Sequence, residues 1–183
     1  MKIFAVTVSG ASTLFRLDQY KDLLEEHGVT FTDQPSSNIT FVQKQLLPLS
    51  KQRSLRKKAS RLIFDFDDAI WTRPLNPYSW LTALRVKSRL HYWLKNADVV
   101  ICASSFLASY AAKFCIPHIL PMALDTDLWK PLEKSAGPIR LGWAGAPHNL
   151  HHLERLDNVL KQIPSIELHV FSGKNPSLTM PYT

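Results

Sequence analysis

The chain has only two cysteines, Cys102 and Cys115. Two are too few for a disulfide framework, and a reducing cytosol is the default setting for such a chain. It has no apolar run long enough to span a membrane. Met1 to Val8 carries one lysine and a short apolar stretch. It lacks the longer apolar core and small-residue cleavage site of a signal peptide, so a first strand is the better reading. There is no GxGxxG loop, no P-loop and no recognised nucleic-acid-binding motif. Acidic residues are in deficit: 15 Asp and Glu against 22 Lys and Arg give a net charge of +7 and a pI near 9.5. That balance favours an anionic partner, whether phosphorylated ligand, nucleic acid or lipid surface.

At 183 residues, 45% of them hydrophobic, the chain can build a core for one large domain or one and a half small ones. Its pattern centres on Arg61 to Trp71, RLIFDFDDAIW. Leu62 to Phe66 has strand character with Asp65 inside, and Asp67 and Asp68 follow directly. Ligands of open parallel sheets sit outside the carboxyl ends of the strands, so this stretch is the expected floor of a cleft. Three carboxylates within four residues repel each other, which local folding alone would not favour.

The rest of the chain supplies a sheet around it. Lys2 to Val8 is an expected strand, followed by a loop of small residues, Ser9 to Ser12, with Gly10 inside it. Leu17, Tyr20 and Leu24 fall at helical spacing and Gly28 is placed to stop that helix. Val29 to Phe31 and Ile39 to Val42 are further strands. The loop after the first strand allows a ligand close to the backbone, and the helix start after it favours an anion; an ordinary tight turn is the plainer reading. Leu49 to Ala59 reads as a helix carrying Lys51, Arg53, Arg56, Lys57 and Lys58, with Arg61 just beyond. It is either a solvated basic face or a patch for anionic lipid headgroups. Nucleic acid fits less well, because the aromatics lie in core stripes and not between the basic residues.

Pro74 and Pro77 break the chain after the acidic strand. Ala83, Val86, Leu90, Trp93, Leu94 and Ala97 then share one helical face, the mark of core packing. Asp98 to Cys102 is another strand, Ser104 or Ser105 can cap the next helix, and Ile116 to Leu120 is a sixth strand. Strands alternating with helices predict a parallel Rossmann-like α/β sheet covered on both faces. That lobe spans 1–121. Residues 122–138 read as a linker. Residues 139–174 start a second α/β lobe with strands at Ile139 to Trp143 and Ile166 to Phe171. Between them Asn149 can cap a helix bearing Leu153, Leu156, Leu160 and Ile163. Residues 175–183 have no periodicity and read as a frayed tail. Two strands and one helix cannot bury both faces of a sheet, so this lobe is expected to be incomplete.

Five of these segments, in this order, resemble group-1 (family-4-type) glycosyltransferases of the GT-B architecture, two Rossmann-like lobes facing a cleft. Ser12 to Gly28 is similar to the family's first loop and helix, and RLIFDFDDAIW to an acidic strand of one branch. Val100 to Tyr110 resembles the strand and serine-capped helix that follow, Leu120 to Pro131 the interlobe connection, and Ile139 to Gly145 the first strand and glycine loop of the donor lobe. The resemblance implies metal-independent transfer of a sugar from a nucleotide-sugar to an acceptor, with no cofactor beyond the co-substrate. Donor diphosphate would meet Gly142, Trp143, Gly145, His148 and Asn149. Gly10, Ser12 and Arg16 would line the acceptor side. Asp67 and Asp68 would orient an acceptor hydroxyl or act as base.

The chain also departs from that pattern. Met122 stands where the connection usually has Asn, and Ala146, Pro147 and His148 replace basic donor-loop residues. No two glutamates have seven residues between them, the spacing that grips the donor in the family. The expectation is therefore a cytoplasmic glycosyltransferase truncated within its donor lobe and inactive as an isolated chain, peripheral on the inner membrane face if the basic helix binds lipid. The alternative is a non-catalytic acceptor- or membrane-binding fragment. DFDD also resembles the first motif of haloacid-dehalogenase-type phosphatases, with Asp65 as nucleophile and Asp67 as acid/base, but Ala69 and the missing metal motif argue against it. His148, His151 and His152 read as a solvated helix start, since no carboxylate or cysteine completes a metal set.

Overall fold

The structure, a computed structural model, describes residues 1–35, 38–73, 77–131 and 137–183. It divides into two units, Met1–Trp129 and Lys130–Thr183, so the division falls inside the stretch read as a linker.

The first unit is Rossmann-like α/β. Its strands are β1 (Lys2–Val6), β2 (Thr30–Phe31), β3 (Ile39–Gln43), β4 (Arg61–Phe66), β5 (Val99–Cys102) and β6 (His118–Ile119). They form one sheet in the order β2-β1-β3-β4-β5-β6, and every pairing is parallel. All carboxyl ends therefore share one edge. The chain steps outward from β1 to β2 and then crosses back to β3, so the order reverses between β1 and β3. That reversal is the switch point at which such sheets open a crevice.

Strand period sorts the side chains. Leu62, Phe64 and Phe66 face one side, with Val42, Val100 and Cys102. The helix α4 (Trp80–Asn96) covers that side through Leu90, Trp93 and Leu94. Residues 61, 63 and 65 face the other side, where Ile63 packs with Ile3, Phe41 and Leu17. Asp65 and Gln43 thus point toward α1 (Ala11–Arg16), which follows β1. Trp93 stacks on Phe64 with centroids 6.0 Å apart and donates from Nε1 to the Gln45 carbonyl at 2.8 Å. Trp93→Phe keeps an aromatic ring but strands that carbonyl. It should lower the urea-unfolding free energy by about 1–3 kcal/mol, and a change within error would remove this bond from the account.

The helix expected over Leu17 to Leu24 is broken. Leu17, at φ −141 and ψ −55, ends α1; a 3-10 turn, Asp18–Tyr20, intervenes, and α2 (Lys21–Glu26) follows. The break lets Leu17 enter the core while Arg16 turns beneath the sheet edge. Gly28, at φ +75, ends α2 as the spacing predicts. The basic segment is α3 (Leu49–Lys58), and α5 (Ser105–Ala111) is capped by Ser104. Among the described residues no helix is long and apolar enough to cross a membrane.

The second unit pairs β7 (Ile139–Ala144) with β8 (Ile166–Phe171), again in parallel. Between them lie a 3-10 turn, Pro147–Asn149, and two short helices, α6 (Leu150–Glu154) and α7 (Asp157–Leu160). The single helical stripe expected from Leu153 to Ile163 is thus not formed. Leu153 and Leu160 are buried, but Leu156 lies at the break between the helices and is 48% exposed. The end of the chain is not frayed. Met180 joins Leu153, Leu160 and Leu168 in the core, and Thr183 exchanges backbone hydrogen bonds with Leu168 and Val170 at 2.9 and 2.7 Å.

Asp157 makes the most side-chain bonds to that end, and Glu154 adds one by accepting from Ser177 N at 2.8 Å. The Asp157 carboxylate accepts from Thr179 N at 3.0 Å, Thr179 Oγ1 at 2.5 Å and Met180 N at 3.2 Å. The Thr179 hydroxyl first, then Lys161 and the two amides, hold its pKa down to about 2. A depressed carboxylate stabilises fully above its unfolded value, near 4, and loses that contribution as pH falls through about 2. Exchange protection of the Thr179 and Met180 amides should therefore fall between those values, and Asp157→Asn should flatten the profile. Parallel profiles in parent and variant would refute this anchor.

Candidate functional site

The carboxyl edge of the first sheet gathers three loops at the switch point. After β1, Gly10 adopts φ +105, a left-handed conformation that favours glycine, and the chain enters α1. Thr13 on α1 bridges the Val8 carbonyl and, at 2.7 Å, Gln43 Oε1 at the end of β3. Arg16, one turn further on, meets Asp65 on the same face of the sheet. Its Nε and Nη2 grip the two carboxylate oxygens, and Nη1 donates to the Leu120 carbonyl at 2.5 Å. Arg16 is 8% exposed and Asp65 1%. Burial pushes the Asp65 carboxyl up against the pull of the guanidinium, while pairing with Asp65 raises Arg16 despite its own burial.

The other two carboxylates meet a different cation. Lys44, the first residue after β3, holds a left-handed φ of 55 and sends Nζ to Asp68, to Asp67 Oδ1 at 3.1 Å and to Ser12 Oγ at 3.0 Å. Burial of Asp67 favours its neutral form, but the Ser12 hydroxyl and Lys44 outweigh it, and its pKa falls below the ordinary value. Lys44 is raised although burial opposes it, because both carboxylates favour its charge. Asp67 is 6% exposed and Asp68 65%. Asp68 is thus the carboxylate a ligand can reach. The repulsion expected in DFDD is relieved by splitting its charges between two cations, Arg16 at the end of α1 and Lys44 after β3.

Gly10, Ser12, Asp67 and Asp68 therefore come together at one edge. Arg16 does so as well, but not as a ligand-facing group: all three of its guanidinium nitrogens are occupied beneath the edge. Lys44, Gln43 and Thr13 were missed from sequence. The available signal was position, since Lys44 directly ends the strand ITFVQ, where parallel sheets present functional groups.

Gly142, Trp143, Gly145, His148 and Asn149 lie at the carboxyl end of β7, in the second unit. Gly142 has open space where a Cβ would stand. Gly145 serves packing: a Cβ there would come within 2.7 Å of the Trp143 indole, which itself packs on the core of this unit. Asn149 makes no side-chain cap; its amide donates to the Ala146 carbonyl at 2.8 Å inside the 3-10 turn. With α6 only five residues long, the aligned peptide dipoles that would draw a phosphate are few. The His148 carbonyl accepts from His151 Nδ1 at 2.8 Å. Among the described residues no cluster of three His, Cys, Asp or Glu could hold a metal ion. Comparison of the chain with protein-family models finds no match, and comparison with curated proteins finds none.

Proposed function

We propose that the first unit is the acceptor-binding lobe of a nucleotide-sugar-dependent glycosyltransferase, and that the second unit belongs to its donor-binding lobe. The observation that carries this is the Ser12–Lys44–Asp67–Asp68 cluster at the switch point of a parallel sheet. Sugar transfer requires an acceptor hydroxyl held in line with the anomeric carbon and relieved of its proton as the diphosphate departs. Asp68 is exposed enough to accept that hydroxyl, and Lys44 fixes its carboxylate in place. Asp67, ionised and nearly sealed, holds Lys44. The phosphatase reading loses ground, because Asp65 has both oxygens on Arg16 and no open path to a phosphate.

The test is transfer of labelled sugar from a panel of nucleotide-sugars to simple glycosyl and alcohol acceptors. Turnover from at least one donor would support the reading. Asp68→Asn should lower it by about 100-fold or more while leaving thermal unfolding unchanged. A second reading, binding without catalysis, is favoured by one feature: no Lys or Arg stands from Ala144 to Asn149, the loop that would meet a diphosphate. Acceptor binding with no turnover from any donor would decide for it.

A further inference from the structure

We propose that the face shared by α3 and α4 docks on an anionic phospholipid bilayer. The sequence has no Asp or Glu between Asp33 and Asp65, and none between Asp68 and Asp98. Both helices are therefore free of carboxylates, while α3 carries Lys51, Arg53, Arg56, Lys57 and Lys58 and α4 carries Arg85, Lys87, Arg89 and Lys95. The two helices are joined by Gln52, buried on α3, whose Nε2 donates to the Arg89 carbonyl at 3.2 Å. Between them runs an open groove of about 540 Å³, lined among others by Leu49, Arg53, Leu84, Lys87, His91 and Lys95.

Helical period continues that lining outward. On α4, Trp80 and Leu81 lie on the stripe that passes through Leu84, Lys87 and His91, away from the buried Leu90, Trp93 and Leu94. Trp80 is 71% exposed, Leu84 60% and Leu81 54%. Since α4 lies between the parallel strands β4 and β5 and returns the chain from the carboxyl edge, its first turn, with the apolar tip, stands on that side of the sheet, and the cations trail from it toward the other edge. Two of the residues first suspected of lipid contact are not part of this face. Arg56 is tied to Asp98 at 3.1 Å and to the Ala59 carbonyl, and Arg61 begins β4.

The arrangement selects among anionic partners. A nucleic acid could meet the cations and stack a base on Trp80, but offers Leu81 and Leu84 little, and an acidic protein would have to match the cations and the tip with separate patches. A bilayer meets both: its phosphates face the cations, and its interfacial layer takes up Trp and Leu side chains.

The experiment is co-sedimentation of the whole chain with vesicles of phosphatidylcholine alone or mixed with phosphatidylglycerol. Binding is expected only to the mixed vesicles, and should weaken as salt rises. Arg53→Gln, Lys87→Gln and Lys95→Gln together should weaken it by about 100-fold. Leu84→Ser with Trp80→Ser should weaken it by about 10-fold or more while leaving the salt dependence in place. Lys2→Gln, Lys113→Gln and Lys174→Gln together remove the same charge elsewhere, and should have a smaller effect. Equal losses from the two charge triplets would overturn the proposal, since net charge alone would then explain binding. So would unchanged binding of the Trp80 and Leu84 variant, or retention on heparin or RNA with none on vesicles. No nucleotide-sugar enters the assay, so its failure is distinct from failure of the transfer reading.

Discussion

Arg16→Met should destabilise the first unit by about 3–5 kcal/mol, because it leaves a buried carboxylate without its cation. Asp65 is 1% exposed, and no other cation touches its oxygens among the described contacts. The variant also strips the Leu120 carbonyl of its donor. Asp65→Leu should be of similar size, since it leaves a guanidinium buried in turn. The informative species is the double variant, Arg16→Met with Asp65→Leu. Apolar replacement of both members of a buried pair is often neutral or stabilising, so the double should recover most of the loss. Urea unfolding followed by circular dichroism measures all three. If the single variants each lose less than about 1 kcal/mol, a value typical of exposed pairs, the clamp is not a structural element of this fold.

Lys44→Met should cost about 2 kcal/mol at neutral pH and, more tellingly, invert a pH dependence. In the parent, the pKa of Asp67 lies below its unfolded value. Its contribution is complete above that unfolded value, near 4, and is lost as pH falls through the lower folded one. Without the ammonium, burial and the adjacent Asp68 dominate, and the folded pKa of Asp67 rises above the unfolded one. The sign then reverses: the variant regains stability relative to the parent as pH falls toward 4. Chemical-denaturation midpoints from pH 7 to pH 3 should show the two curves converging. Parallel curves would mean that Lys44 does not hold Asp67.

The first sheet was legible because its signals are local and repeated. Apolar strands such as KIFAV and RLIFDF, separated by helical stripes, need no knowledge of distant partners. Trp93 and Leu94 could be assigned to the core from spacing alone. The site was half legible. Asp67, Asp68, Gly10 and Ser12 are visible as chemistry or as loop residues at strand ends. The pairing of Arg16 with Asp65 was not, because it depends on a helix that breaks at Leu17 and on which face of β4 meets it. Lys44 was hidden by a left-handed backbone that no propensity assigns to lysine. The second unit shows the same divide. Its two strands are plain in the sequence, but Asp157 reorganises what precedes and follows it. It accepts the hydrogen bonds of Thr179 and Met180, and Glu154 accepts that of Ser177, so carboxylates distant in sequence help to order a segment with no periodicity.

Arg16 bonds to residues 49 and 104 positions further along the chain. During synthesis, which runs from the amino terminus, its charge must wait in solvent until Asp65 has emerged, and its last donor until Leu120 has. A nascent chain halted before Leu120 would carry the helix, the acidic strand and an open lock. The guanidinium thus acts as a latch that closes only when the last strand of the sheet has left the ribosome.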